Sequence, residues 1–306
     1  MENNNKIIGF DELFKNLTNL YFNNKLPNKI LLSGDIGIGK FLFSSHYVMS
    51  ILSLNEKYCY NIKDFQIDER NKSYILFKNN INPNIFIIKK KNDKKNIEIS
   101  QIREMIKFQN SSTFNNKNKF VIIDNVADLN INSSNALLKS IEQPNNSVFY
   151  ILTYNIGSQI QDTLRSRCIE FKMKINLSSH KLILNNYFNK EIYDELSYDL
   201  VNYYSNPSFN ISLINYLIEN SLDYKSITLE ELIYFIIKKK DYIKNNFVNE
   251  NINFIIELFF YKHINRTNNI SYKLKKYFSY KFNEIKKYNL DMESFFIEFQ
   301  EKLLSE

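Results

Sequence analysis

The residues best suited to chemistry lie in three short runs. The first is Gly34-Asp35-Ile36-Gly37-Ile38-Gly39-Lys40, a G-x-x-x-x-G-K pattern holding three of the protein's five glycines. Such a loop turns successive backbone N–H groups toward one point at the start of a helix. Donors and helix dipole there both favour phosphate, and Lys40 is placed to reach the outer phosphates of a nucleotide. The next residue departs from the pattern: Phe41 stands where a Ser or Thr hydroxyl would hold Mg²⁺. The second run is Phe120-Val121-Ile122-Ile123-Asp124-Asn125. An Asp ending a buried strand beside a phosphate loop is the usual second support of such a metal ion. An acid directly after it would orient the attacking water. Asn125 puts an amide in that place, and an amide cannot take the proton. Asp128, three residues on, reads as a surface acid near a helix start. The third run is Thr163-Leu164-Arg165-Ser166-Arg167-Cys168, which carries two arginines.

These runs need a scaffold, and apolar periodicity supplies one. Phe10, Leu13, Phe14, Leu17, Leu20 and Tyr21 predict a helix over 10–23. A buried strand over 29–33 feeds the glycine loop, and a helix over 41–54 leaves it. Further strands are predicted over 84–88, 119–124, 147–153 and 168–173. Between them lie helices over 99–108, capped by Ser100, and over 135–142, capped by Asn132-Ser133-Ser134 and ended by Pro144. A short helix or turn is predicted over 163–167. Residues 55–80 show no clear pattern. Strands alternating with helices, joined by crossovers of about twenty residues, imply an α/β fold with a five-stranded parallel sheet covered on both faces. From 179 onward the spacing is helical only, over 180–188, 191–204, 211–220, 229–240, 252–261, 270–288 and 292–303. Met292, Phe295, Phe296, Phe299 and Leu303 make the clearest apolar stripe, and such stripes read as packing inside a bundle. The expected division is a phosphate-loop domain over 1–175, a small helical domain over 176–222 and an all-helical domain over 223–306.

The 306 residues carry a net charge of +7, which suits work near nucleic acid, although no helix is read as having a clustered basic face. The lysines at 89–91 and 94–95 read as a solvated loop. The wealth of Lys, Asn, Ile, Tyr and Phe reads as a coding bias. Two cysteines, Cys59 and Cys168, lie in no metal-binding spacing and are expected as reduced thiols, Cys168 as a small buried hydrophobe. The first residues lack the basic and apolar regions of a signal peptide, and no apolar run reaches the ~18 residues of a membrane span. A cytoplasmic protein with no membrane partner is expected.

The Ser166-Arg167-Cys168 run resembles the signature of the clamp-loader branch of the AAA+ family. Asn135-Ala136-Leu137-Leu138-Lys139-Ser140-Ile141-Glu142-Gln143-Pro144 is similar to that branch's N-A-L-L-K-x-L-E-E-P. Leu26-Pro27-Asn28-Lys29-Ile30-Leu31-Leu32-Ser33-Gly34 and Ile99-Ser100-Gln101-Ile102-Arg103 fit the same pattern. The likeness covers about residues 7–175, and beyond them it rests on helical texture alone. Within the branch the chain looks most like the delta-prime class of the bacterial DNA polymerase III clamp loader.

The resemblance implies a role for each matching residue. Arg167, with Ser166 beside it, would be an arginine finger acting on a neighbouring subunit's ATP. Gly34, Gly37, Gly39, Lys40 and Asp124 would form a degenerate nucleotide site. That site would require no cofactor, and any ATP or ADP held there would be held weakly without turnover. The four-cysteine zinc module common in relatives is not expected, since Cys59 alone stands in that interval. The family's nucleotide-sensing Arg would fall near Phe209-Asn210, where no Arg occurs, and Tyr154-Asn155 stands at its polar sensor position. The implied partners are gamma/tau and delta subunits and, through the complex, the sliding clamp and primed DNA, in a replisome associated with the nucleoid. The implied function is that of a non-hydrolysing structural subunit whose last helices join an oligomeric collar. The competing reading is an ATP-hydrolysing motor of the gamma/tau kind, or another DNA-associated ATPase of this class.

Overall fold

A computed structural model describes residues 6–91, 94–112, 117–142, 147–201, 206–267, 272–288 and 290–304. The chain divides into two compact units, Met1–Ile183 with Asn206–Ser208, and Leu184–Ser205 with Phe209–Glu306.

The first unit is the expected α/β fold. Its strands are β1 (Lys29–Gly34), β2 (Ile85–Ile88), β3 (Lys119–Ile123), β4 (Val148–Asn155) and β5 (Ile169–Lys172). They form one parallel sheet in the order β2-β3-β4-β1-β5. Around it run α1 (Asp11–Phe22), α2 (Lys40–Leu52), α3 (Lys72–Lys78), α4 (Ile99–Asn110), α5 (Ile131–Glu142) and α6 (Asp162–Arg165), and α7 (Leu177–Phe188) belongs to this unit up to Ile183. Both faces of the sheet are covered, so β3 is apolar from Phe120 to Ile123 rather than alternating. Its Phe120 and Ile122 pack with Phe14, Phe43 and Tyr47 of α1 and α2. Val121 and Ile123 pack on the other side with Ile102 and Met105 of α4 and Leu137 and Ile141 of α5.

Local chemistry corrects several boundaries. Ser100 does not cap α4. Glu98 does, and its backbone N–H donates to Gln101 Oε1 at 3.2 Å. α5 starts at Ile131, before the run expected to cap it, because Asn130 takes the capping role: its Oδ1 accepts the Ser133 N–H at 2.8 Å. Ser133 and Ser134 lie inside the helix, and their hydroxyls donate to Ile97 O (2.9 Å) and Gln161 Oε1 (2.8 Å). Pro144 and Gln143 lie outside the described residues. In the unread stretch, Asn71 starts α3 by accepting the Tyr74 N–H at 2.7 Å.

The second unit is helical: α8 (Pro207–Glu219, from Phe209 on), α9 (Leu229–Lys239), α10 (Asp241–Lys244), α11 (Asn246–Thr267), α12 (Tyr272–Tyr288) and α13 (Met292–Leu303). Phe295, Phe296 and Phe299 of the α13 stripe are buried, and they meet Phe259, Phe260, Phe278 and Phe282 in one aromatic-rich core. Each such side chain contributes about 1.5–3 kcal/mol on burial. Leu213, Tyr216 and Leu217 of α8 belong to the same core as Leu232, Ile236 and Phe259, so the expected divide at 222/223 falls inside it. The helix expected over 191–204 is absent from its described part, where only a turn of 3₁₀ helix occurs, Tyr193–Glu195. The cause is cross-chain pairing: Ser197 N–H donates to Tyr224 O (2.9 Å), and Asp199 Oδ2 accepts the Leu229 N–H at 3.2 Å. Helix α12 corrects a further expectation, because it presents a clustered basic face. Among the described residues no helix is long and apolar enough to cross a membrane.

Candidate functional site

Strand β1 delivers the glycine run to the C-terminal edge of the sheet, where ligands of such sheets bind. A Cβ on Gly34 would sit 2.6 Å from Met173 O and 2.5 Å from Ile38 Cδ1, so a side chain there has no room. Gly37 adopts φ +74°, which β-carbon sterics disfavour, and Gly39 starts α2 at φ +91°. A Cβ on Gly37 would also collide with Asn206 Oδ1 and lie 2.8 Å from Ser208 Cβ. The crest of the loop is therefore covered by an amide and a hydroxyl-bearing residue. This places Asn206 and Ser208 at the loop, whereas the ring of Phe209 packs on Phe254 at 4.7 Å.

Lys40 is turned inward. Its Nζ donates to Gly34 O (2.9 Å) and Asp35 O (2.6 Å), and only 6% of the residue is exposed. Burial lowers its pKa to about 8, opposed in part by the charges of Asp124 and Asp35. Asp124 follows β3 and is also desolvated, which raises its pKa. Thr153 opposes that rise by donating from Oγ1 to Asp124 Oδ1 at 3.0 Å, while the same oxygen accepts the Asn125 N–H at 2.7 Å. Thr153 belongs to the site but was not anticipated. Tyr150 and Tyr154 bring hydroxyls to β4 as well, so no sequence signal singles Thr153 out.

The fit of this loop to a nucleotide is partial. Its glycines and Lys40 suit phosphate. The metal ligands do not suit Mg²⁺: Phe41 packs against the apolar cluster beside α2 and offers no oxygen. Asn125 sits at φ +55° with its Oδ1 buried and without a hydrogen-bond partner among the described residues. Asn155 ends β4 in register with Gly34 and so lies beside the loop. No group of three or more His, Cys, Asp or Glu side chains that could hold a metal occurs among the described residues. Cys59 is exposed, and burial pushes the Cys168 thiol up to about 11.

Ser166 and Arg167 are not brought to this loop. They follow α6 and enter β5, whose Ile169 pairs with Ile30 near the start of β1. Arg167 thus lies at the N-terminal edge of a parallel sheet whose C-terminal edge carries the loop. Four strand residues separate the two levels, about 13 Å at ~3.3 Å each. The guanidinium is exposed. Its Nη1 donates to Thr163 O (2.8 Å), which also accepts from Ser166 Oγ (3.3 Å), and its Nη2 pairs with Glu142 at 2.5 Å. Glu142 is itself half exposed, so this pair is worth at most ~1 kcal/mol and yields readily to another anion. Arg165 is instead committed to its own strand through Glu170, by Nε (3.0 Å) and Nη2 (2.8 Å).

Comparison with known proteins identifies the family and the fold. Residues 9–176 match the profile of the family described as DNA polymerase III, delta subunit. The chain is 26% identical to the DNA polymerase III subunit delta' of Pseudomonas aeruginosa over 140 residues, 46% of this chain and 41% of that protein. It is 31% identical to subunit gamma/tau of Mycoplasma genitalium over 167 residues, 55% of this chain and 26% of that protein. It spans well under two thirds of the length of these relatives. A gamma subunit-related protein from Thermotoga maritima shares the fold, with a TM-score of 0.53 over 92% of this chain and 96% of that one at 15% identity. With the family profile matching more than half of its residues and the motifs in place on the sheet, the chain belongs to the DNA polymerase III clamp-loader family.

Proposed function

We propose that the chain is a non-hydrolysing structural subunit of a clamp loader, and that it lends Arg167 to the ATP site of a neighbouring subunit. The observation that carries this reading is the placement of Arg167 at the sheet edge opposite its own phosphate loop. An exposed guanidinium there can serve only a site outside its own loop. An arginine supplied in trans neutralises charge on the transferring phosphoryl group and is worth about 10³–10⁵ in rate. In its own loop, Phe41 supplies no metal ligand and Asn125 no base. The partners on this reading are gamma/tau and delta subunits, with the sliding clamp and primed DNA reached through the assembly in the cytoplasm. The test is reconstitution with and without Arg167→Ala: assembly is retained, while ATP turnover and clamp loading fall together. Wild-type loading by the variant complex would remove the finger.

A second reading is an ATP-hydrolysing motor. Gly34, Gly37, Gly39, Lys40 and Asp124 are all retained around one point, and similarity extends to gamma/tau relatives. ATP turnover by the purified chain, abolished by Lys40→Ala, would establish this reading in place of the first.

A further inference from the structure

Helix α12 holds six lysines, Lys273, Lys275, Lys276, Lys281, Lys286 and Lys287, against the single acid Glu284. Its inner stripe is apolar: Phe278, Phe282 and Ile285 are buried. The outer stripe follows the helical repeat through Lys273, Lys276, Tyr280 and Lys287. Over 14 residues at ~1.5 Å each this is a track of about 21 Å. Tyr272 (74% exposed) and Tyr280 (67%) show their rings to solvent. Among the described residues no acid pairs with Lys273, Lys276 or Lys287. The nearby acid of α13, Glu298, is taken up by Lys281, by Lys302 and by the Tyr277 hydroxyl, which donates to it at 2.9 Å. That cluster ties α12 to α13 and leaves on the outer stripe Lys273, Lys276, the Tyr280 ring and Lys287, with Glu284 as the one acid among them.

We infer that this face of α12 binds single-stranded nucleic acid, with Lys273, Lys276 and Lys287 against phosphates and Tyr280 stacked on a base. Charge complementarity selects a polyanion. The exposed Tyr280 ring between Lys276 and Lys287 selects one with planar groups, because bases stack on aromatic side chains whatever the sequence. A lipid surface is disfavoured, since these outward positions carry no aliphatic side chain to enter it. The track matches a short site, about four nucleotides, at the small end of known single-strand sites. The inference is independent of Arg167, which lies in the other unit.

The experiment measures fluorescence anisotropy of a labelled dT₁₂ oligonucleotide with the full chain across a salt series. Wild type is expected to bind, with a slope of log K against log salt near −2 from three phosphate contacts. Lys273→Glu/Lys276→Glu/Lys287→Glu should weaken binding at least about tenfold and flatten the slope. Tyr280→Ala should cost about five- to tenfold, and Tyr280→Phe should retain affinity, because stacking needs the ring and not the hydroxyl. Thermal melting checks that each variant folds. Absence of dT₁₂ binding by wild type would overturn the inference, as would affinity unchanged by the triple reversal. Equal loss in Tyr280→Phe and Tyr280→Ala would remove the stacking role and with it the nucleic-acid assignment. Competition by polyglutamate, or by phosphatidylserine vesicles, as strong as that by unlabelled dT₁₂ would transfer the face to an acidic protein or a membrane.

Discussion

Lys40 and Arg167 are the two cations of the α/β unit with phosphate chemistry in their surroundings, and the fold holds them in opposite ways. Lys40 is buried and bonded to carbonyls of its own loop, and desolvation lowers its pKa to about 8. Arg167 is exposed at the other edge of the sheet, steadied by one carbonyl and one half-exposed carboxylate. On the proposed function, one scaffold has lost a reaction in one place and kept a part for it in another. A hydrolytic site needs several groups converging, and the loss of two oxygens is enough to stop it. A finger needs one guanidinium, aimed outward, and tolerates any change at the distant loop.

The comparison is broken most directly at Arg167. In a reconstituted complex, Arg167→Ala is expected to lower ATP turnover by about 10³-fold or more. Arg167→Lys should recover little, because a point charge does not replace the planar fork. Steady-state turnover and assembly by size exclusion measure both. The next largest effect is structural. Gly34→Ala must push Met173 O aside from 2.6 Å, at a cost of about 2–4 kcal/mol in a denaturant melt.

Lys40 gives an effect of the opposite sign. Its pKa of about 8 lies below the unfolded value, so between pH 8 and about 10.5 the unfolded chain binds more protons and stability rises with pH. Below pH 8 the burial cost is fully present. Lys40→Met should therefore stabilise the fold by about 1–3 kcal/mol at pH 7, with the difference from wild type shrinking as pH climbs to 10. Denaturant melts at several pH values test this, and a variant less stable at pH 7 would contradict it. The same variant should leave turnover of the reconstituted complex unchanged. The smallest effect is at Glu142. Glu142→Gln removes a surface pair, changes stability by less than about 0.5 kcal/mol, and leaves turnover of the complex within twofold of wild type.

Much of the α/β unit was legible beforehand because each strand is a short apolar run beside a punctuating Gly, Pro or Asn. The glycine loop was legible for the same reason, as was the absence of a hydroxyl at Phe41 and of an acid at Asn125. Caps were misread at Ser100 and at Ser133-Ser134. A hydroxyl is a good cap in isolation, but these serines lie within their helices, and Glu98 and Asn130 stand at the true starts. Residues 191–201 were misread as helix because a string of apolar and polar residues fits that period, while the backbone was needed to pair with Tyr224 and to support the start of α9. Thr153, Asn206 and Ser208 could not be placed beforehand, since each reaches the loop from a distant part of the chain.

The sequence by itself determined the class of fold, the position of the phosphate loop and the chemistry missing from it, because those are properties of residue type and local spacing. It also carried Lys273, Lys276, Tyr280 and Lys287 of α12, but not the fact that their face of the helix points away from the core, which depends on which side the core takes. Only the tertiary structure decided that Lys40 turns inward and that Arg167 stands at the opposite sheet edge. Strand order and register set those positions, and they are fixed by long-range pairing of β1 with β4 and β5 that no local pattern encodes.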